Sequence, residues 1–224
     1  MLMESGKWEE PEIEWLMKEL EKVGPNAKFL DVGGNLGTYS LVAATRGFNV
    51  TCIEGWPKNS LLIKKNIDLN RYGDRIKLIE KAVGNGNKDC HFIYRQDNIA
   101  NGQIDCDSNA PNFAERIELR KIDDLLFEDF DVMKIDIEFK EFEAFQGMKK
   151  YFQNYKIKII FFECTNKYAP LEFFKMMRYE YGYKIYIFHP GTTSPDLEHP
   201  YGEKEWNDFY ELSLRYYNFV AIKE

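Results

Sequence analysis

Apolar residues recur along this chain in two alternating rhythms. From Pro11 to Val23, the positions Ile13, Leu16, Met17, Leu20 and Val23 share one helical face, with Pro11 in the first turn and Gly24-Pro25 as the stop. Lys28 to Val32 then reads as a strand. A glycine-rich turn follows, and Leu36 to Arg46 reads as a helix ending at Gly47. The unit returns as a strand from Val50 to Glu54, a helix from Pro57 to Asn70, the turn Arg71-Tyr72-Gly73-Asp74 and a strand from Ile76 to Glu80. Such alternation predicts parallel strands joined by crossover helices.

The stretch from Asn85 to Arg120 is richer in Asn, Asp and Gly. It reads as an elaboration carrying two short antiparallel strands, Cys90 to Tyr94 and Arg116 to Leu119. Asp131 to Ile137 is a further strand feeding a helix from Lys140 to Lys149. Ile157 to Phe162 is an almost continuous apolar run, the pattern of a central strand buried on both faces. A helix near Leu171 to Tyr179 and strands Tyr183 to Phe188 and Tyr216 to Ile222 complete seven strands outside the elaboration. With no repeats or composition breaks, 224 residues make one domain spanning 1–224, with an N-terminal helical segment at 1–25 and the elaboration at 85–120.

Composition narrows the functional classes. Thirty Lys+Arg against 37 Asp+Glu leave a net charge of -7, which disfavours nucleic acid as a partner. An apolar share of 44% and an aromatic share of 16% supply a core and exclude disorder. No apolar run approaches the roughly 18 residues of a membrane span, and Trp8-Glu9-Glu10 stands where a signal peptide would be apolar, so a cytoplasmic protein is expected. The four cysteines form no CxxC pair, and Cys52 and Cys164 sit in apolar runs. All four, Cys90 and Cys106 included, read as reduced thiols.

The turn Asp31-Val32-Gly33-Gly34-Asn35-Leu36-Gly37 is the strongest local signal. Glycines let a backbone approach a ligand closely, the helix start offers N–H groups to an anion, and Asp31 offers a carboxylate to a cation or donor. A plain strand-to-helix turn is the bland alternative. Glu54 closes the next strand 21 residues after Gly33, the placement of a carboxylate that accepts ribose hydroxyls. Both features fit a nicotinamide cofactor as well as S-adenosylmethionine. Gly33 and Gly34 do not start a GxGxxG spacing, however, and no Tyr is followed four residues later by Lys.

Further along, Asp136 and Glu138 lie two residues apart at the end of the fourth main strand, where open α/β sheets hold ligands, so both are expected to face the cleft. Glu163 ends the greasy strand before it and needs a partner or a role. Together the three acids could steer a hydroxyl or hold a divalent cation. The cation reading is the weaker, because such a site needs about six oxygens. His189 opens a long loop, 189–209, of the kind that binds acceptors, with Trp206 as an acceptor platform.

The ordered motifs resemble the FkbM-type family of class I S-adenosylmethionine-dependent methyltransferases. The similarity rests on Phe29 to Ser40 with the Asp31, Gly33, Gly37 spacing, on Glu54 with Pro57, on Asn66 and Asn70, and on Lys81-Ala82-Val83-Gly84. It rests also on Ile122-Asp123-Asp124-Leu125 ahead of Lys134 to Glu138, with Glu141 and Gly147 following. One departure is Phe139, where the family normally has Gly.

The resemblance implies a Rossmann-like, doubly wound seven-stranded sheet, mostly parallel with the last strand antiparallel. It implies S-adenosylmethionine held by Asp31, Gly33, Gly34, Asn35, Gly37, Tyr39, Ser40, Glu54, Ala82, Val83 and Asp136. The implied reaction is methyl transfer to a hydroxyl, here a sugar or glycan hydroxyl; the placement of the residues themselves makes Asp136, Glu138, Glu163 and His189 the catalytic candidates, with an ordinary surface histidine as the alternative for His189, and no metal is expected. It also allows a module of a larger glycan-modifying enzyme. The rival readings are an NAD(P)-dependent oxidoreductase and a non-catalytic module that binds S-adenosylmethionine.

Overall fold

The computed structural model describes residues 9–95, 98–106, 114–165, 169–206 and 216–223. Its first half is α1 (Glu10–Val23), β1 (Lys28–Val32), α2 (Thr38–Thr45), β2 (Asn49–Ile53), α3 (Pro57–Asn70) and β3 (Ile76–Ile79). The elaboration follows as β4 (Ala82–Val83), β5 (Lys88–Arg95), β6 (Asn98–Asp105) and β7 (Glu115–Arg120). The second half is β8 (Phe130–Ile135), α4 (Glu141–Gln146), α5 (Lys149–Asn154), β9 (Ile157–Thr165), α6 (Leu171–Lys175), β10 (Tyr183–Phe188) and β11 (Tyr216–Lys223).

Seven strands form one sheet in the order β10-β11-β9-β8-β1-β2-β3. The neighbours from β9 across to β3 pair in parallel, and β11 runs antiparallel to both β9 and β10, the Rossmann-like arrangement expected. Alternation along each strand feeds two cores, one on each face. Phe29 and Phe161 pack with Leu16, Met17 and Leu20 of α1 and Ala43 of α2, while Leu30, Ile160 and Phe162 pack with Phe145 and Phe173 on the other side.

Several expectations need correcting. The helix expected over 140–149 is two short helices that break at Gly147, whose backbone lies so close to Gly84 that a side chain there would collide with the Gly84 carbonyl oxygen. The second of them is capped from a distance: Asp123 accepts the N–H groups of Lys150 (3.2 Å) and Tyr151 (2.7 Å). β9 does not stop at Phe162 but runs on to Thr165, so Glu163 lies within it. Trp206 is no platform. It is buried against Phe174, and its Nε1–H donates to the Tyr201 carbonyl at 2.9 Å. Residues 207–209 of the expected acceptor loop, like Trp8, lie outside the described residues.

The elaboration is a second sheet, β4-β7-β5-β6, and its expected antiparallel pair is β5 with β7. Two of the four expected free thiols are bonded: the β5–β6 register sets His91 opposite Asp105, so Cys90 and Cys106 stand opposite one another and form a disulfide. Cys52 and Cys164 are free and buried. Among the described residues, no helix is long and apolar enough to cross a membrane.

Candidate active site

Strand register assembles the site. Val32 pairs with Ile53 on one side and with Ile135 on the other, and Ile135 pairs with Phe162. One residue further along, Glu54, Gly33 and Asp136 therefore follow the ends of β2, β1 and β8 in a row that Glu163, two residues before the end of β9, continues. This row spans the switch point, where the chain order reverses between β1 and β8 and open α/β sheets leave a crevice. A cavity of about 580 Å³ opens there, inside the size range of small-molecule sites. Four of the five described non-glycine residues with positive φ line it: Glu9 (45°), Asn35 (51°), Glu138 (54°) and Phe139 (74°). Backbone strain of this kind persists only where the surrounding structure enforces it, and it collects at ligand sites.

The glycine turn is shaped by the protein's own packing. Gly33, at φ 81°, lies so close to Asp136 that any side chain would strike the Asp136 carbonyl oxygen, and one on Gly34 would strike the Cys52 sulfur. The N–H groups of both glycines donate to the Ile53 carbonyl (2.9 and 3.1 Å). Glu54 clamps the turn from β2: its Oε2 accepts the Asn35 N–H and its Oε1 the Trp56 N–H, both at 2.7 Å. Burial raises the Glu54 carboxyl to about 7 against these two bonds.

Below the turn lies Lys134, buried and unforeseen in the sequence reading. Its Nζ donates to the Gly33 carbonyl (3.1 Å), lies 3.5 Å from Asp136 Oδ2 and stands 5.2 Å from the Tyr39 ring centroid. Burial works against its charge, but Asp136, Asp31 and Glu9 outweigh burial and raise it above the ordinary lysine value. Glu9, at the start of α1, accepts the Tyr39 hydroxyl at 2.7 Å. On the far side, Glu138 and Glu163 are each raised to about 7, chiefly by burial and next by the charge of Asp136.

Of the residues expected to hold a cofactor, Gly33, Gly34, Asn35, Tyr39, Glu54, Ala82, Val83 and Asp136 line the cavity. Asp31, Ser40 and Gly37 do not. Asp31 is fully buried behind the wall, where its Oδ2 accepts the Ser40 N–H (3.1 Å) and hydroxyl (2.5 Å) and fixes the start of α2, while its Oδ1 has no hydrogen-bond partner among the described residues. Of the catalytic candidates, Asp136, Glu138 and Glu163 come together. Glu138 does so from a left-handed turn after β8, rather than by sharing a strand face with Asp136. His189 is exposed, outside the cavity lining, and its carbonyl accepts Thr192. Among the described residues no cluster of three or more acidic, His or Cys side chains could hold a metal ion.

Sequence reasoning missed Lys134, Glu9 and the aromatic pair Trp56 and Phe92, stacked at 5.0 Å on the elaboration's side of the cavity. A lysine inside Val132-Met133-Lys134-Ile135 was the available signal for the first, since lone charges are rarely buried without partners. Nothing local announces Glu9.

The geometry has the form of a class I methyltransferase cleft, and comparison with known proteins agrees. The model of the methyltransferase FkbM domain matches residues 31–185, well over half of the chain. The chain belongs to the FkbM methyltransferase family, and methyl transfer is its class of activity. Among solved structures it is similar to a methyltransferase FkbM from Methylobacillus flagellatus KT (17% identity, TM-score 0.54, 88% of this chain and 44% of that one). It is also similar to a protein from Klebsiella pneumoniae proposed to be an O-methyltransferase (10% identity, TM-score 0.55, 98% and 83%) and to WbdD (9% identity, TM-score 0.55, 99% and 42%). At these identities the likeness is one of fold, and the chain spans less than half the length of the first. None of the curated proteins compared matches it.

Proposed function

We propose that the protein is an S-adenosylmethionine-dependent O-methyltransferase whose acceptor is a hydroxyl of a sugar or glycan. One observation carries the reading: a single cavity joins the Glu54-clamped glycine turn to the three carboxylates of Asp136, Glu138 and Glu163. The residues present suit the cofactor. Each Glu54 oxygen that takes a backbone N–H keeps a lone pair for a ribose hydroxyl. Ala82, Val83 and the Trp56–Phe92 stack give an apolar wall for adenine, and the acid-rich lining suits an ammonium and a sulfonium. When bound, the cofactor supplies the activated methyl group.

The chain supplies alignment and a base. Glu163 and Glu138, raised to about 7, take a hydroxyl proton once ionised, and Asp136 holds the acceptor between them. Lys134, bridging the Gly33 carbonyl and Asp136, keeps the donor and acceptor halves in register.

Calorimetric titration of the whole chain with S-adenosylhomocysteine is the first test. Binding that weakens at least about tenfold in Glu54→Ala is expected, from the loss of two hydroxyl contacts. No binding, together with enhanced fluorescence of NADH, would replace the reading by an oxidoreductase. Labelled methyl transfer to a panel of methyl glycosides is the second, and binding without transfer to any acceptor would leave a non-catalytic module.

A further inference from the structure

Beside the main cavity lies a recess of about 20 Å³ that the proposed chemistry has not used. Phe139, Asp136, Glu138 and Glu163 line both spaces, so the two share a wall, while Glu141, Cys164 and Thr165 belong to the recess alone. Thr165 is 3% exposed, and its Oγ1 has no hydrogen-bond partner among the described residues. A buried hydroxyl is rarely left in that state without a guest or a role. We infer that the recess is a subsite for one further hydroxyl of the acceptor, read by Thr165 with Glu163 and Glu141, with Phe139 on the wall it shares with the main cavity. The inference rests on the proposed transfer to a polyhydroxylated acceptor.

Size and chemistry both select such a guest. A volume of about 10–15 Å³ holds one water-sized group, so the recess takes a single hydroxyl and excludes a ring or a phosphate. Its walls carry no cationic side chain, which disfavours an anionic guest. Glu141, pushed to about 8 by burial against a bond from the Ile137 N–H, keeps its proton through the neutral range, while Glu163, raised to about 7, passes from acid to carboxylate within it. A protonated carboxyl and a threonine hydroxyl each donate and accept, as a sugar hydroxyl does.

Phe139 is the one apolar side chain on the wall the two spaces share. It and Glu138 both hold the left-handed backbone that favours glycine, at φ 74° and 54°. An aromatic side chain kept in that conformation on the shared wall fills space that a glycine would leave open.

The test uses the whole chain with S-adenosylhomocysteine present and three probes, the methyl α-pyranosides of glucose, galactose and mannose, with binding read by saturation-transfer NMR. Wild type is expected to bind at least one. Thr165→Val, which keeps the shape and removes the hydroxyl, should weaken that glycoside about fivefold or more, the value of one hydrogen bond, while leaving S-adenosylhomocysteine affinity unchanged. Thr165→Ser should restore binding. Phe139→Gly should melt no lower than wild type and bind the glycoside and its monodeoxy analogues with less discrimination.

Equal binding by wild type and Thr165→Val overturns the subsite and leaves the proposed function standing. So does binding of S-adenosylhomocysteine with none of the glycosides. Failure to bind S-adenosylhomocysteine overturns the function, and the subsite with it. If Thr165→Val does not fold, Thr165→Ala is read in the same way.

Discussion

Burial and the charge of Asp136 hold Glu138 and Glu163 near 7, so each changes from acid to base within the neutral range. Only the ionised form accepts a hydroxyl proton. The methyl-transfer rate is therefore expected to climb from pH 6 to pH 8 with a midpoint near 7. Glu163→Gln should lower kcat by about a hundredfold, the usual weight of a general base, and flatten that climb. If Glu163→Gln keeps the climb and Glu138→Gln removes it, Glu138 is the base.

Glu141 makes a stability prediction instead. Its carboxyl is raised from 4.5 to about 8, mainly by burial, so the folded chain retains a proton that the unfolded chain releases. That contribution is complete below pH 4.5 and is lost as the pH rises through 8. Between pH 6 and pH 9 the Tm of wild type should fall further than that of Glu141→Gln, measured by calorimetry. Parallel curves would show that Glu141 is not the source of the loss.

The β5–β6 hairpin walls the cavity with Phe92, Gly102 and Ile104, and the Cys90–Cys106 bond ties its base. The bond closes a loop across a separation of 16 residues, for which the loss of cross-linking costs about 3 kcal/mol. The double variant Cys90→Ser, Cys106→Ser should melt lower than the oxidised wild type, and wild type treated with a dithiol reductant should match it. An unchanged Tm in both would show the hairpin to be held by its ladder alone.

The same hairpin marks where sequence reading stops. The two halves of the main sheet were legible, because apolar alternation and glycine stops act locally. Helix α3 begins at Pro57 and ends at Asn70 as expected. The Cys90–Cys106 pairing, the break at Gly147 and the extension of β9 to Thr165 depend on which backbones approach across the fold, and no short window of sequence holds that information. The same distinction runs through the site. Glu54 and Asp136 could be placed from strand ends, whereas the motif does not announce that Asp31 lies behind the cavity wall with one oxygen bonded to Ser40. Lys134 and Glu9, 125 residues apart in sequence, meet only through the sheet and α1.

On the scale of the whole molecule, the net charge of -7 and the cavity wall have the same sign. Five carboxylate side chains line the cavity, those of Glu9, Glu54, Asp136, Glu138 and Glu163, against two lysines, Lys81 and Lys134. A cleft of one sign concentrates ligands of the other and repels its own, more so at low ionic strength. A cationic methyl donor and a neutral acceptor suit this field, and an acceptor with a carboxylate or sulfate does not. Paired neutral and uronic glycosides, compared by kcat/KM in labelled transfer, should therefore differ by about tenfold or more in favour of the neutral sugar at low salt. The gap should narrow toward 0.5 M salt, where screening acts within about 4 Å. Raising the pH from 6 to 8 at constant low salt should widen it, since Glu54, Glu138 and Glu163 all ionise across that interval. A preference for the uronic glycoside that survives these changes would mean that a cation such as Lys81, rather than the acid-rich wall, selects the acceptor.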